Sequence, residues 1–277
     1  SLAGSGFTGT VRLGAQGSVQ TAQVSARAVD ATIPAEPPIR IGRATVEARL
    51  VLYASAPLVV ADIQAAGVRQ GQMVVQTARA RINYQGGRGT AELAAKGRSG
   101  ASFEVAARAD LSPGLYRVAA RGTVNSIAFH LARPAVIRAE GGGYALEPAT
   151  IVLPQGEVRL TGRYGPGVEL RARFDGLDLS VLNAFAAGAG VGGKATGSLD
   201  FAQTGSAFPR ADLRLAVDNF TRSGAAAVSE PVDIALLGTL RPEGGALSAV
   251  IRRGGQAIGR LQARLQPGRQ ARVAVRR

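Results

Sequence analysis

The 277-residue chain has no cysteine, no tryptophan and a single histidine, His130. Without cysteine there is no disulfide framework, no thiolate zinc site and no cysteine nucleophile. One histidine excludes a metal site built from several imidazole ligands. We therefore expect a protein that carries no cofactor and no metal.

Long apolar runs and aromatic side chains are also scarce. The longest apolar stretch, residues 50–60, contains Ser55 and Pro57 and is far shorter than the ~20 residues that a membrane-spanning helix needs. The first residues show neither an initiator methionine nor the charge pattern of a signal peptide. We expect the chain to be a piece of a longer protein, with any anchor or export signal outside it.

What the sequence does have is alternation of apolar and polar residues. Residues 168–175 and 212–217 alternate in this way, which is typical of a strand with one dry face and one wet face. Glycine and proline turn signals recur every 8–14 residues or so and predict short hairpin connections, hence antiparallel neighbours. The pattern predicts roughly 18 strands. These turn signals are Gly86-Gly87, Ser99-Gly100, Ser112–Gly114, Gly141–Gly143, Pro154–Gly156, Gly165–Gly167, Glu243–Gly245, Gly254-Gly255 and Pro267-Gly268.

One segment, residues 178–188, departs from the alternation. Leu179, Leu182 and Phe185 recur at three-residue spacing, Asp178 or Ser180 is suited to cap a helix, and Gly188 is suited to end it. We predict one short helix near residues 178–187 that packs on the sheet, since it is too short to be stable alone.

The charge is strongly positive, with 33 Lys+Arg against 19 Asp+Glu and a formal net charge of +14. Such a balance suggests a polyanionic partner such as nucleic acid or anionic lipid headgroups. The arginines, however, are spread over the polar faces of most predicted strands, and stacking aromatics do not accompany them. We therefore expect no nucleic-acid partner, and a basic nucleic-acid-binding module remains the alternative.

Motifs for catalysis or nucleotide binding are weak. Glycines at 188, 190 and 193 have the spacing of a dinucleotide fingerprint, but they follow the predicted helix instead of preceding one, and Ala195 after Lys194 cannot ligate magnesium. His130 has no nucleophile-elbow motif beside it. Turn, cap and strand positions account for the carboxylates at 175, 178 and 200. We expect no enzymatic activity.

These observations favour an all-β fold: a long, curved antiparallel sheet that forms an open hydrophobic groove, with one short helix. The alanine-rich faces are too thin for a compact sandwich of this length, and a long apolar surface usually marks a binding groove. An extracellular structural or adhesive β-repeat protein is a second alternative, although no strict repeat of coil length is found.

Residues 134–265 resemble a known family. The run Gly143–Tyr164 is followed by Leu170–Phe174, by Gly176–Phe185 with Leu-Asp-Leu-Ser-Val-Leu-Asn, by Gly192–Phe201 ending Gly-Ser-Leu-Asp-Phe, and by Phe208–Leu215. Their order resembles the TamB family, the inner-membrane component of the translocation and assembly module, within the broader AsmA-like group. Residues 1–133 resemble the same pattern more weakly. The chain thus divides into two continuous β-groove segments, 1–133 and 134–277, the second with the TamB-like pattern.

The resemblance implies a periplasmic β-groove (a repeating β-groove or β-taco), tethered to the inner membrane by an anchor outside this chain. It implies a role in outer-membrane biogenesis: conduction of phospholipid along the groove, assistance to outer-membrane protein assembly, or both. The implied partners are phospholipid acyl chains and, through parts outside this chain, an Omp85-family outer-membrane barrel. The residues expected to line the lipid groove are Val168, Leu170, Phe174, Leu199, Phe201, Leu213, Leu215 and Val217.

Overall fold

The computed structural model describes residues 2–4, 6–17, 19–52, 57–184, 190–205, 207–223, 228–265 and 272–276. Its contacts divide the chain into two units, Ser1–His130 and Leu131–Arg277. Both units are all-β, and within the described ranges a short 3₁₀ helix is the only helical element. The prediction of an all-β, long antiparallel sheet with one short helix is confirmed.

Unit 1 contains ten strands within its described residues, each hydrogen-bonded antiparallel to the next along the chain. The last of them ends one residue beyond the division between the units. The strands are β1 (Leu2–Gly4), β2 (Phe7–Gln16), β3 (Val19–Ile33), β4 (Ile39–Leu52), β5 (Leu58–Gln70), β6 (Met73–Gln85), β7 (Arg88–Ser99), β8 (Ala101–Ser112), β9 (Leu115–Val124) and β10 (Ile127–Leu131).

Unit 2 repeats this simple up-and-down order, again with antiparallel neighbours. The 3₁₀ helix Leu179–Ala184 follows its fourth strand. The strands are β11 (Ala135–Glu140), β12 (Gly143–Leu153), β13 (Gly156–Tyr164), β14 (Gly167–Asp178), β15 (Val191–Thr204), β16 (Arg210–Arg222), β17 (Val232–Arg241), β18 (Gly244–Arg253), β19 (Gln256–Leu265) and β20 (Arg272–Arg276).

The predicted turns lie between strands wherever the structure describes them; Pro267-Gly268 lies outside the described residues. One further hairpin has no glycine. Asn125 and Ser126 join β9 to β10 with φ of 47° and 68°, the positive values that a two-residue hairpin turn requires. The Asn125 carboxamide oxygen accepts hydrogen bonds from the Ser102 backbone N–H (2.8 Å) and hydroxyl (3.2 Å), which holds the turn against β8.

The short helix differs from its prediction in type and in packing. It is a 3₁₀ helix, and Val181 is its buried side chain, whereas Leu182 is 46% exposed. Residues three apart share a face of a 3₁₀ helix, so Val181 lies on a different face from Leu179 and Leu182. Asp178 does cap it, because its carboxylate accepts the Ser180 N–H at 2.8 Å. Phe185 and Gly188 lie outside the described residues.

Candidate functional site: the apolar sheet faces

The eight apolar residues singled out from the sequence lie on one face of unit 2. Directly opposed residues in neighbouring strands place their side chains on the same side of a sheet. Leu170 opposes Phe201, Leu199 opposes Leu213, and Leu215 reaches Phe174 through Gly197 between them. We call this side the apolar face of unit 2. It holds Val168, Leu170, Phe174, Leu199, Phe201, Leu213, Leu215 and Val217.

Val168 occupies the rim of this face. It opposes Gln203, a polar residue, and is 37% exposed. Val217 lies towards the other end, opposite Ala195 and Ile234, and is only 4% exposed. The eight residues therefore extend from one end of the strands to the other.

The apolar face of unit 2 is wider than the sequence reasoning proposed. The same rows of opposed residues continue into β12 and β13 on one side and into β17 and β18 on the other. The sequence contains a signal for this wider face, because apolar and polar residues also alternate along these strands. The added residues are Leu146, Ile151, Val158, Leu160, Ile234, Leu236, Leu240, Leu247 and Ile251.

Unit 1 has an apolar face of its own, built from smaller side chains. A row of five alanines, one from each of β3 to β7, crosses the sheet; we call it the alanine row. Larger residues such as Val46, Ile63 and Leu93 occupy the next row on the same face. The alanine row consists of Ala28, Ala44, Ala65, Ala78 and Ala95.

The large side chains of both faces stay partly exposed to solvent within the described ranges. Every buried apolar residue in the described ranges is an alanine or a valine, and none is a leucine, isoleucine, phenylalanine or tyrosine. A packed core buries its large side chains most completely. Here Ala172 is 4% exposed and Ala249 is 5% exposed, whereas Leu93 keeps 43% of its surface exposed. Each apolar face therefore presents large side chains that are only partly shielded from solvent.

The opposite, polar faces carry the charged side chains. Arg81 donates to Asp62 at 2.8 Å and Arg108 to Glu92 at 3.3 Å in unit 1, and Arg171 lies 3.7 Å from Asp200 in unit 2. All of these groups are largely exposed, so each pair contributes little to stability. The Arg81 hydrogen bond, with a smaller contribution from Gln64, holds the pKa of Asp62 below its ordinary value. The charges keep the polar faces hydrated and leave the apolar faces free of charge.

A large cavity lies on the polar side of unit 1. It has a volume of 1190 Å³ and is lined by two polar rows with the alanine row as its floor. A second cavity of 490 Å³ occupies the same side of unit 1, and one of 300 Å³ lies near the β11–β12 turn of unit 2. All three of these cavities are lined by rows of the polar faces.

His130 and the described part of the glycine segment lie within regular strands. His130 is exposed on the polar face of β10, directly opposite Arg121. Gly193 and Lys194 belong to β15, which begins at Val191, and Lys194 opposes Asp218. Residues 191–194 of this glycine segment are therefore strand, and Gly188 lies outside the described residues. Asn183 anchors the strand, because its carboxamide makes two 2.9 Å hydrogen bonds with the Val191 backbone.

In the part of the chain that the structure describes, no three histidine, aspartate or glutamate side chains are grouped to hold a metal ion. No helix within these same ranges has the length and apolar character needed to span a bilayer. No protein-family model, curated protein or solved structure matches the chain.

Proposed function

We propose that this chain binds lipid acyl chains on its apolar faces and conducts phospholipid as a periplasmic segment of an inner-membrane-anchored protein. The observation that carries the proposal is the apolar face, on which no described leucine, isoleucine, phenylalanine or tyrosine is buried. A soluble protein rarely exposes apolar surface of this extent unless something binds there.

The chemistry of the face suits an acyl chain. Leu170, Phe201, Leu199 and Leu213 form a continuous apolar surface across three strands, without an intervening charge. Burying a methylene group contributes about 0.8 kcal/mol. Each methylene that an acyl chain lays on this surface therefore adds to binding, and no directional contact is required. The strength of binding on such a surface depends on the contact area and not on fixed contacts, so a lipid can slide along it, as conduction requires.

The sequence resemblance to the TamB family supports the finer part of the proposal. We infer a role in outer-membrane biogenesis, with an Omp85-family barrel engaged by parts outside this chain and with lipid conduction, assistance to outer-membrane protein assembly, or both as the task. The all-β antiparallel sheet is compatible with this family, and the apolar faces are the surfaces on which we expect the lipid to lie.

The test is a functional assay of the full-length protein with an aspartate placed on the face. A charge at Leu170 or Leu215 stays hydrated and repels acyl chains, so Leu170→Asp and Leu215→Asp should abolish lipid conduction while the sheet still folds. Circular dichroism of each variant checks the fold.

The structure selects the control. Arg171→Asp would place two carboxylates opposite each other, because Arg171 opposes Asp200. Arg173→Asp avoids this, since Arg173 opposes Arg159 and Ser198 on the polar face. Arg173→Asp should leave conduction intact. If it blocks conduction as completely as Leu170→Asp does, the apolar face is not the lipid path.

Mass spectrometry of apolar material that co-purifies with the chain gives an independent readout. Phospholipid that is present in the native chain and depleted in Leu215→Asp supports the proposal. A lipid-free preparation of a folded chain counts against it.

A further inference from the structure

The 1190 Å³ cavity of unit 1 has no part in acyl-chain binding, because it opens on the polar side of the sheet. Its walls are two rows of opposed residues that run across the strands from β3 to β10, and the alanine row forms the floor between them. Strands lie about 4.8 Å apart, so eight strands extend over about 34 Å. We call this cavity the cationic trough.

The basic side chains of the trough are arranged in pairs. The members of the first two pairs are diagonal neighbours on adjacent strands, and those of the third are directly opposed. Each pair is displaced by three strands from the one before, which is about 14 Å. The pairs are Arg27 with Arg43 on β3 and β4, Arg79 with Lys96 on β6 and β7, and Arg121 with His130 on β9 and β10.

Much of this charge is available to a ligand. Arg27, Arg43 and Arg121 form no salt bridge with any described residue. Arg79 lies 3.6 Å from Asp62, whose closer partner is Arg81 at 2.8 Å. The two ends of the trough therefore carry guanidinium groups whose N–H donors face water.

The neighbouring cavity shows that this charge is not a general property of the polar face. The 490 Å³ cavity lies on the same strands and the same side of the sheet, yet three carboxylates line it against two arginines. The trough has five lysines and arginines against one carboxylate, Glu104. Positive charge is thus concentrated in one of two adjacent cavities.

We propose that the cationic trough binds a linear anion that carries several phosphate groups. The guanidinium fork matches phosphate oxygens in a bidentate geometry, and the hydroxyls of Thr45, Thr77 and Thr123 supply further donors. A single phosphate reaches only one pair, whereas a chain of phosphates reaches all three. Phe129 is the only aromatic residue among the described lining residues and shares the apolar-face row of Gly122, so stacking does not contribute to recognition.

This site is separate from the proposed lipid function. The alanine row has the trough on one side and the apolar face on the other, so a ligand in the trough does not compete for the apolar face. Changes to the trough arginines are therefore expected to leave acyl-chain capture intact, which distinguishes failure of this proposal from failure of the first.

The test is a titration of the whole chain with inorganic polyphosphate of about 15 units, followed by calorimetry. The test variant is Arg43→Gln/Arg121→Gln. The control is Arg49→Gln/Arg117→Gln, which changes the same strands β4 and β9, the same face and the same charge, but outside the trough. We expect the test variant to bind at least tenfold more weakly, with a shallower salt dependence, and the control to bind within twofold of the native chain. Thermal unfolding checks that both variants fold.

Three ligand comparisons complete the experiment. Tripolyphosphate, which reaches one pair, should bind at least tenfold more weakly than the long polyphosphate. Equal losses in the two variants, or tripolyphosphate binding as tightly as the long chain, would show that general basicity and not the trough holds the anion. Polyglutamate of equal charge that binds as tightly as polyphosphate would overturn the assignment to phosphate. Oligothymidylate of equal charge that binds more than tenfold tighter than polyphosphate would overturn the conclusion that stacking does not contribute to recognition.

Discussion

The apolar faces of the two units differ in the size of their side chains. Alanine is the commonest residue on the face of unit 1, where the alanine row crosses β3 to β7, whereas leucine is the commonest on the face of unit 2. A leucine offers an acyl chain more apolar area than an alanine does, and binding scales with that area. We therefore expect unit 2 to hold acyl chains more tightly.

Both units contain strand glycines at which a side chain would clash with a neighbouring strand. Substitution of these glycines is expected to have the largest effect on stability. Gly122 in β9 and Gly197 in β15 lie within strands, and a Cβ on either would lie well inside van der Waals contact with a neighbouring carbonyl oxygen, that of Glu104 or Arg214. Gly122→Ala and Gly197→Ala should each lower the free energy of unfolding by about 3 kcal/mol. Urea denaturation of the whole chain measures this.

Gly259→Ala is the matched control. Its Cβ would lie 3.7 Å from Ile251 Cδ1, which is ordinary contact. Alanine also restricts the unfolded chain more than glycine does, so less conformational entropy is lost on folding. The free energy of unfolding should therefore rise or change by no more than about 1 kcal/mol. A similar loss for all three variants would mean that backbone proximity does not explain the strand glycines.

The difference between the faces predicts unequal effects of an added charge. Leu215→Asp replaces a leucine that opposes Gly197 and Leu236, whereas Ala80→Asp replaces an alanine that opposes Ile63 and Leu93. We expect capture of a fluorescent fatty acid to fall at least tenfold for Leu215→Asp and about threefold for Ala80→Asp. Equal losses of fatty-acid capture would contradict the claim that larger side chains make the face of unit 2 the tighter binding surface.

The hairpins offer a smaller contrast. Glycine pairs close hairpins in both units, at Gly86-Gly87, Gly141-Gly142 and Gly254-Gly255, whereas β9 and β10 are joined by Asn125-Ser126. Asn125→Ala loses the hydrogen bonds to Ser102 and places a Cβ-bearing residue without a polar side chain at φ of 47°, so it should cost about 2 kcal/mol. Asn125→Gly relieves the strain and should cost about 1 kcal/mol. Urea denaturation that ranks glycine as the worse substitute would contradict this account of the turn.

Asp62 gives the smallest expected effect. Arg81 holds its pKa below the ordinary value, so the stabilising contribution is present above that ordinary value and is lost as pH falls through the lowered pKa. Asp62→Asn also frees Arg79, 3.6 Å away, for the trough. Polyphosphate binding at neutral pH should therefore tighten about twofold. Weaker binding in this variant would show that Asp62 holds Arg79 in the binding geometry.

Much of the fold follows from the sequence because alternation and turn chemistry are local. The alternation of residues 212–217 predicted which side of β16 is apolar, and glycine turns such as Gly254-Gly255 between β18 and β19 predicted antiparallel neighbours. The Asn125-Ser126 hairpin was missed because the signals considered were glycine and proline. The three-residue spacing of Leu179 and Leu182 did not indicate that Val181 would be the buried side chain, because burial depends on how the helix packs and not on the spacing.

The trough was out of reach of sequence reasoning for a different reason. Its pairs join Arg27 to Arg43 and Arg121 to His130, and these become neighbours only through strand register. Along the chain the arginines look evenly spread, so the polar faces were interpreted as solvated surface. The eight groove residues, by contrast, share one face because each strand alternates in phase with its partner.

Site-specific photo-crosslinking tests the central claim most directly. A crosslinking side chain is placed at Leu170 or Leu213 on the apolar face and, as matched controls, at Arg171 or Arg214 one position along the same strands on the polar face. Irradiation in cells that express the full-length protein, followed by lipid analysis, should show phospholipid attached at 170 and 213 and none at 171 and 214. Equal capture at all four positions, or capture of protein alone at 170 and 213, would contradict the account of the apolar face as a surface for lipid.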